Sequence, residues 1–139
     1  MAESILHKKL ISLIEHWILE TFEEKMIIYC DSEDNLLNDS KPPMIFTRFP
    51  DVYAIGMKSN RVIVGEAKIS QNDLESKHSE EQFTAYLTHC KSKKKAMTVL
   101  AVPIELINCA KSLIAFIKRK NNLHSVETQI VNPFLFRWK

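Results

Sequence analysis

The chain has little cysteine and no long apolar run. Its three cysteines, Cys30, Cys90 and Cys109, are spread over the whole length, and none belongs to a Cys-x-x-Cys pair. A disulfide framework or a zinc ribbon is therefore not expected. An iron–sulfur cluster needs about four thiolates, more than the chain supplies. The cysteines read as small, buried or half-buried thiols. No apolar stretch reaches the ~18 residues of a membrane span. The opening residues, Met1 to Lys9, meet charge before an apolar signal region can build up. A soluble cytoplasmic protein with no membrane partner is expected. An excess of one charge is also missing. The net charge of +2 does not by itself announce a polyanionic ligand. There is no internal repeat, low-complexity tract or linker.

What is present is ordinary globular composition. Of 139 residues, 45% are hydrophobic and 26% charged, which suits one domain, residues 1–139, with a real core. Glu3 to Glu24 carries Leu6, Leu10, Leu13, Ile14 and Trp17 at helical spacing. Lys25 to Cys30 is a short β-rich run. Asp31 to Pro43 is polar and punctuated by a Pro-Pro pair, a loop. Met44 to Ile69 contains a hairpin, with Val52–Met57 and Arg61–Lys68 as its strands. Ser79 to Lys93 reads as a helix, with Ser79 and Gln82 in capping-box spacing and Phe83, Leu87 and Cys90 as its stripe. Ala96 to Val102 has strand character. Pro103 suits the first turn of a further helix reaching about Lys120, and His124 to Val131 a last strand. The aromatic tail from Pro133 is expected to pack back onto the body. This order predicts an α/β domain with a mixed central sheet and helices on both faces.

Two basic clusters, Lys91 with Lys93, Lys94 and Lys95, and Lys118 with Arg119 and Lys120, fall where helices are expected to end. There they balance the helix dipole and keep the surface soluble. The same positions would suit contacts to phosphate.

The chemistry concentrates at Pro50-Asp51 and Glu66-Ala67-Lys68. Alternate residues of a strand share a face, so Glu66 and Lys68 point the same way. With Ser59-Asn60 as a two-residue loop, Asp51 stands opposite Lys68 and Tyr53 opposite Glu66. A longer loop of the same parity keeps Asp51 on that face, whereas a one-residue slip sends it to the other. Two carboxylates beside a lysine form either a salt-bridged strand end or a site for a hard cation that retains water, Mg2+ with Mn2+ as substitute. In the second case the lysine orients water or offsets charge building on a phosphate.

These residues resemble the PD-(D/E)xK nuclease superfamily, whose restriction-endonuclease-like core runs helix, three-stranded meander, helix, strand. The resemblance covers roughly residues 3–102. It implies that Asp51, Glu66 and the Ala67 carbonyl are metal ligands and that Lys68 is the catalytic lysine. Gln82-Phe-Thr-Ala-Tyr86 matches the Gln-x-x-x-Tyr motif of the RecB-like and phage-exonuclease-like branch, in which both residues lie beside the site and help hold the substrate and the lysine. Four residues apart on a helix, they share a face. Some members add an acidic residue from the first helix, for which Glu15 is the candidate and Glu20 stands behind it. His16 and His89 are flanking positions that read as ordinary helix-surface histidines. The chain departs from the iron–sulfur members of the branch, lacking their cysteines.

The expected activity is metal-dependent phosphodiester hydrolysis, with DNA the expected nucleic-acid partner. The alternative is a non-catalytic module that keeps the fold and binds nucleic acid or protein. A homodimer or a place in a larger complex would suit either reading. Small size and near-neutral charge favour the module, and so small a chain has little extra surface for sequence-specific readout.

Overall fold

The computed structural model describes residues 4–31 and 41–133. The elements run α1 (Ile5–Thr21), β1 (Met26–Cys30), β2 (Val52–Gly56), β3 (Val62–Ala67), α2 (Gln71–Leu74), α3 (Lys77–Lys91), β4 (Ala96–Ala101), a 3-10 turn (Ile104–Leu106), α4 (Ile107–Asn121) and β5 (Glu127–Val131). The five strands form one open sheet in sequence order. β1, β2 and β3 are an antiparallel meander, whereas β4 and β5 join parallel. This is the expected mixed α/β architecture. The middle of the loop expected at Asp31 to Pro43, and the tail after Pro133, lie outside the described residues.

Both sheet faces are covered. Leu10, Ile11, Leu13, Ile14 and Ile18 of α1 pack with Val52, Ala54, Ile63, Val99 and Ala101 on one face. On the other, Phe83, Tyr86 and Leu87 of α3 and Ala110, Ile114 and Ile117 of α4 pack with Tyr53, Val64 and Leu100. Each fully buried aliphatic or aromatic side chain contributes about 1.5–3 kcal/mol. β3 is buried along its whole length, as two-sided coverage of a central strand requires. Gly65 leaves room for Ile14 of α1: a Cβ there would lie 2.9 Å from Ile14 Cγ2 and 3.2 Å from Val52 Cβ.

Helix ends differ from their expected positions for local reasons. Ser4 caps α1, its side chain accepting from His7 N, and the helix ends at Thr21 rather than at Glu24. The helix expected from Ser79 starts at Lys77, because Ser76 accepts from Ser79 N at 3.1 Å. Ser79 itself is buried, donating to the Asp73 carbonyl at 2.6 Å. The Ser79–Gln82 capping box therefore does not form. Ahead of it lies the unforeseen α2, one turn capped by Ser70. Pro103 opens a 3-10 turn before α4. α4 ends on Asn122 in the left-handed conformation, with Lys118, Arg119 and Lys120 in its last turn, the dipole-compensating position.

The hairpin loop is the most consequential difference. It is the longer loop 57–60, not Ser59-Asn60 alone, because Gly56 N donates to Arg61 O. A two-residue type I′ turn needs positive φ at both central residues, and of these two only Asn60 has it. Glu24 holds the longer loop together. Its Oε1 accepts from Lys58 N and Ser59 N, each at 2.9 Å, and its Oε2 from Ser59 Oγ at 2.6 Å. A Cβ at Gly56 would overlap that carboxylate.

These hydrogen bonds hold Glu24 at a pKa of about 2, below its ordinary 4.5. The folded state thus prefers the ionised carboxylate. The stability this contributes is complete above about pH 4.5 and is lost as pH falls toward about 2. Melting curves over that window should show a steeper acid loss for the wild type than for Glu24→Gln, whose melting temperature should be lower at neutral pH.

Candidate active site

β2 and β3 carry the site at the end of the hairpin remote from its loop. Val52 pairs with Gly65 and Tyr53 with Val64, so one step further Asp51 faces Glu66. The expected pairing of Asp51 with Lys68 and Tyr53 with Glu66 is displaced by two residues, as the longer loop requires. The displacement preserves parity, so Asp51, Glu66 and Lys68 still share a face.

Asp51, Glu66 and Lys68 are all buried. Asp51 Oδ2 accepts from Ala67 N at 2.9 Å, and Asp51 N reaches Glu66 Oε1 at 3.3 Å. The two carboxyl groups are thus immediate neighbours across the strand pair. Burial, and then the Asp51 charge, push the Glu66 pKa well above its ordinary value, while Lys68 and the Tyr86 hydroxyl oppose them. Two negative charges are thus disfavoured here unless positive charge joins them.

The helix after the strand braces both members of the Glu-x-Lys pair. Gln82 Oε1 accepts from Lys68 Nζ at 2.6 Å, and Tyr86 OH donates to Glu66 Oε1 at 3.1 Å. One helical turn separates Gln82 from Tyr86, as Glu66 and Lys68 are separated by one strand repeat, so the contacts run in parallel. Burial and the neighbouring Glu66 raise the Tyr86 phenol, which stays protonated and donating.

Two residues join the site that were not singled out from sequence. His7 Nε2, in the first turn of α1, lies 3.2 Å from Asp51 Oδ2. Asp73 Oδ2, on α2, lies 3.5 Å from Lys68 Nζ. The signal for His7 was its place one turn after the capping Ser4, at the end of a helix that crosses β3. Asp73 had none, because α2 was not foreseen.

Glu15 is the neighbour of the Cys30 thiol, whose pKa is raised by burial and then by the Glu15 charge, with the Asp51 charge acting on the same thiol. Among the described residues no three or more His, Cys, Asp or Glu side chains form a closed metal group. Glu20 and His16 are exposed on α1. His89 Nε2 meets Tyr53 OH at 3.0 Å. Ala67 contributes only backbone. Its N–H points toward Asp51, and strand geometry directs its carbonyl to the same side.

Comparison of the chain with models of known protein families, with curated proteins and with solved structures returned no match. Among the described residues no helix is long and apolar enough to cross a membrane.

The carboxyl pair has a measurable consequence. Glu66→Gln keeps an oxygen for Tyr86 OH and Asp51 N, and offers an amide donor to the Asp51 carboxyl. It should stabilise the metal-free protein by about 1–2 kcal/mol at neutral pH, read as a higher melting temperature. The gain should shrink as pH falls and Glu66 itself becomes protonated.

Proposed function

We propose that the chain is a divalent-metal-dependent nuclease of the PD-(D/E)xK type, built on a restriction-endonuclease-like core, and that it hydrolyses phosphodiester bonds in DNA. One observation carries the reading: Asp51 and Glu66 stand across from each other, both buried, at the end of β2 and β3, with Lys68 buried beside them. The order of helix, antiparallel meander, helix and parallel strand supports it. So do the contacts of Gln82 and Tyr86 with Lys68 and Glu66.

The donor set suits a hard cation. Mg2+ binds through one or two carboxylates and otherwise keeps its waters, so Asp51, Glu66 and the Ala67 carbonyl suffice without Glu15. Such a cation also supplies the positive charge that the buried carboxyl pair lacks. Bound there, it would contribute Lewis acidity and a water of lowered pKa.

The chain's own residues do the rest. Lys68 offers its remaining N–H donors to the attacking water and to a phosphate oxygen gaining charge. Gln82 holds that ammonium in place, its carbonyl oxygen accepting one of its hydrogen bonds. Asp73 draws on the same ammonium from the half-exposed side. Tyr86 fixes the Glu66 carboxyl, and Ala67 N and His7 fix that of Asp51. A ligand carboxylate positioned in this way needs little reorganisation when the substrate phosphate arrives.

The reading predicts a division of roles. Mg2+ or Mn2+ should raise the melting temperature of the wild type and of Lys68→Ala, but much less that of Asp51→Ala. Lys68→Ala should lose turnover by about a hundredfold or more, and excess Mn2+ should restore part of the activity of Asp51→Ala. Gln82→Ala should lower turnover more than stability, since it frees Lys68 without opening the core. Metal titrations, melts and nuclease assays on single- and double-stranded DNA measure these effects. A wild type that cleaves no DNA or RNA with either metal leaves a binding module as the reading.

A further inference from the structure

The segment leading into Asp51 is unusual. Ile45 and Arg48 form an isolated antiparallel bridge, with Ile45 N donating to Arg48 O at 2.7 Å and Arg48 N to Ile45 O at 2.9 Å. The two central residues are Phe46 and Thr47. Phe46 has φ of 56°, and Thr47 is not among the positive-φ residues. This is the pattern of a type II′ turn, whose first central position glycine normally takes. A bulky aromatic residue there is a backbone outlier, and such outliers cluster at active sites and ligand clamps.

The held side chain points outward. Phe46 is 62% exposed, Phe49 56% and Met44 59%. The turn beneath them is anchored: Ile45 is buried in the core with Tyr86, Leu74 and Phe83. Arg48 Nη2 donates to Glu81 Oε2 at 2.7 Å, and its Nη1 lies 3.3 Å from His78 Nδ1. Arg48 is also close enough to the Tyr86 hydroxyl for its charge to act there. After Phe49 comes the buried Pro50 and then Asp51. Two exposed aromatic rings thus sit on a rigid mount that is continuous with the carboxylate site and flanked by a guanidinium.

We propose that Phe46 and Phe49 form a stacking platform for unpaired nucleobases, so that the substrate is single-stranded nucleic acid or the frayed end of a duplex. The proposal rests on the nuclease reading above. Every base offers a π-face to an aromatic ring, and such stacking does not depend on sequence, which fits a chain with little surface for reading bases. In an intact duplex those faces are hidden. A narrow turn projecting one ring, with a second exposed ring just after it, lacks the breadth of a protein-binding face.

The test is fluorescence anisotropy of a labelled oligothymidylate and of a blunt duplex, in the presence of a chelator so that nothing is cleaved. The wild type should prefer the single strand. Phe46→Ala and Phe49→Ala should each weaken single-strand binding by about tenfold, with duplex binding little changed. Phe46→Trp should keep the affinity. Phe46→Gly should lose it while melting no lower than wild type, because glycine relaxes the positive φ; this separates the ring from the fold. Equal wild-type affinity for both probes, or a Phe46→Ala, Phe49→Ala double variant that binds the single strand as wild type does, overturns the platform. So does a wild-type dimer, seen by sedimentation, that the double variant dissolves without any single-strand binding. Phe46-dependent binding without cleavage in Mg2+ would uphold the platform and remove the nuclease reading. Cleavage with unchanged strand preference in the double variant would do the reverse.

Discussion

The register between β2 and β3 is the constraint on which the rest depends. It puts Asp51 across from Glu66, and a slip of one residue would send Asp51 to the α1 face. At the carboxylate end Ala67 N donates to Asp51 Oδ2 across the pair. The loop at the other end fixes the same register, and it is closed by Glu24, a residue outside the hairpin, accepting from Lys58 N, Ser59 N and Ser59 Oγ. Gly56 leaves the space in which the Glu24 carboxylate sits. The geometry of the site thus depends on contacts at both ends of the strands.

The site itself works against stability. Two neighbouring carboxyl groups and a lysine amine are buried on a sheet whose neighbouring positions are apolar. Burying ionic groups is costly even when they are paired, and apolar residues of similar volume are often the more stable choice. The structure offsets part of that cost with aimed donors and acceptors: Ala67 N and His7 on Asp51, Tyr86 on Glu66, Gln82 and Asp73 on Lys68. Each also fixes an orientation. A salt-bridged strand end would need none of this, since Lys68 could pair directly with either carboxylate. Instead its shortest contact is to a neutral amide, and the carboxyl pair is left short of positive charge.

Much of this was legible in sequence because it follows from periodicity. Strand alternation alone puts Glu66 and Lys68 on one face, and helical spacing puts Gln82 and Tyr86 on one face. The structure adds that the two faces meet. The mixed sheet with helices on both sides was readable from the order of elements. What could not be read depends on contacts distant in sequence. The two-residue loop was displaced because Glu24 stabilises a longer one. The helix start moved from Ser79 to Lys77 because Ser76 competes for the same N–H and Ser79 turns inward to the Asp73 carbonyl. Periodicity offered Glu15 as the acidic residue from the first helix but not His7, which meets Asp51 because α1 crosses the sheet so that its first turn reaches the site.

That crossing also bears on what the site can do. α1 occupies one side of the carboxylate pair through His7, while α2 and α3 occupy the other through Asp73, Gln82 and Tyr86. The segment carrying Phe46 and Phe49 enters directly ahead of Asp51 and is tied to α3 by Arg48 and Glu81. A chain nearly neutral overall cannot rely on long-range attraction to bring in a polyanion. Short-range features would have to do it: a cation at the carboxyl pair, the ammonium of Lys68 and exposed aromatic rings on a fixed turn. Under the proposed function these three act on one nucleotide, the first two at its phosphate and the last at its base. Affinity would then be confined to substrates able to present both groups together, and near-neutral charge would favour selectivity over tight binding.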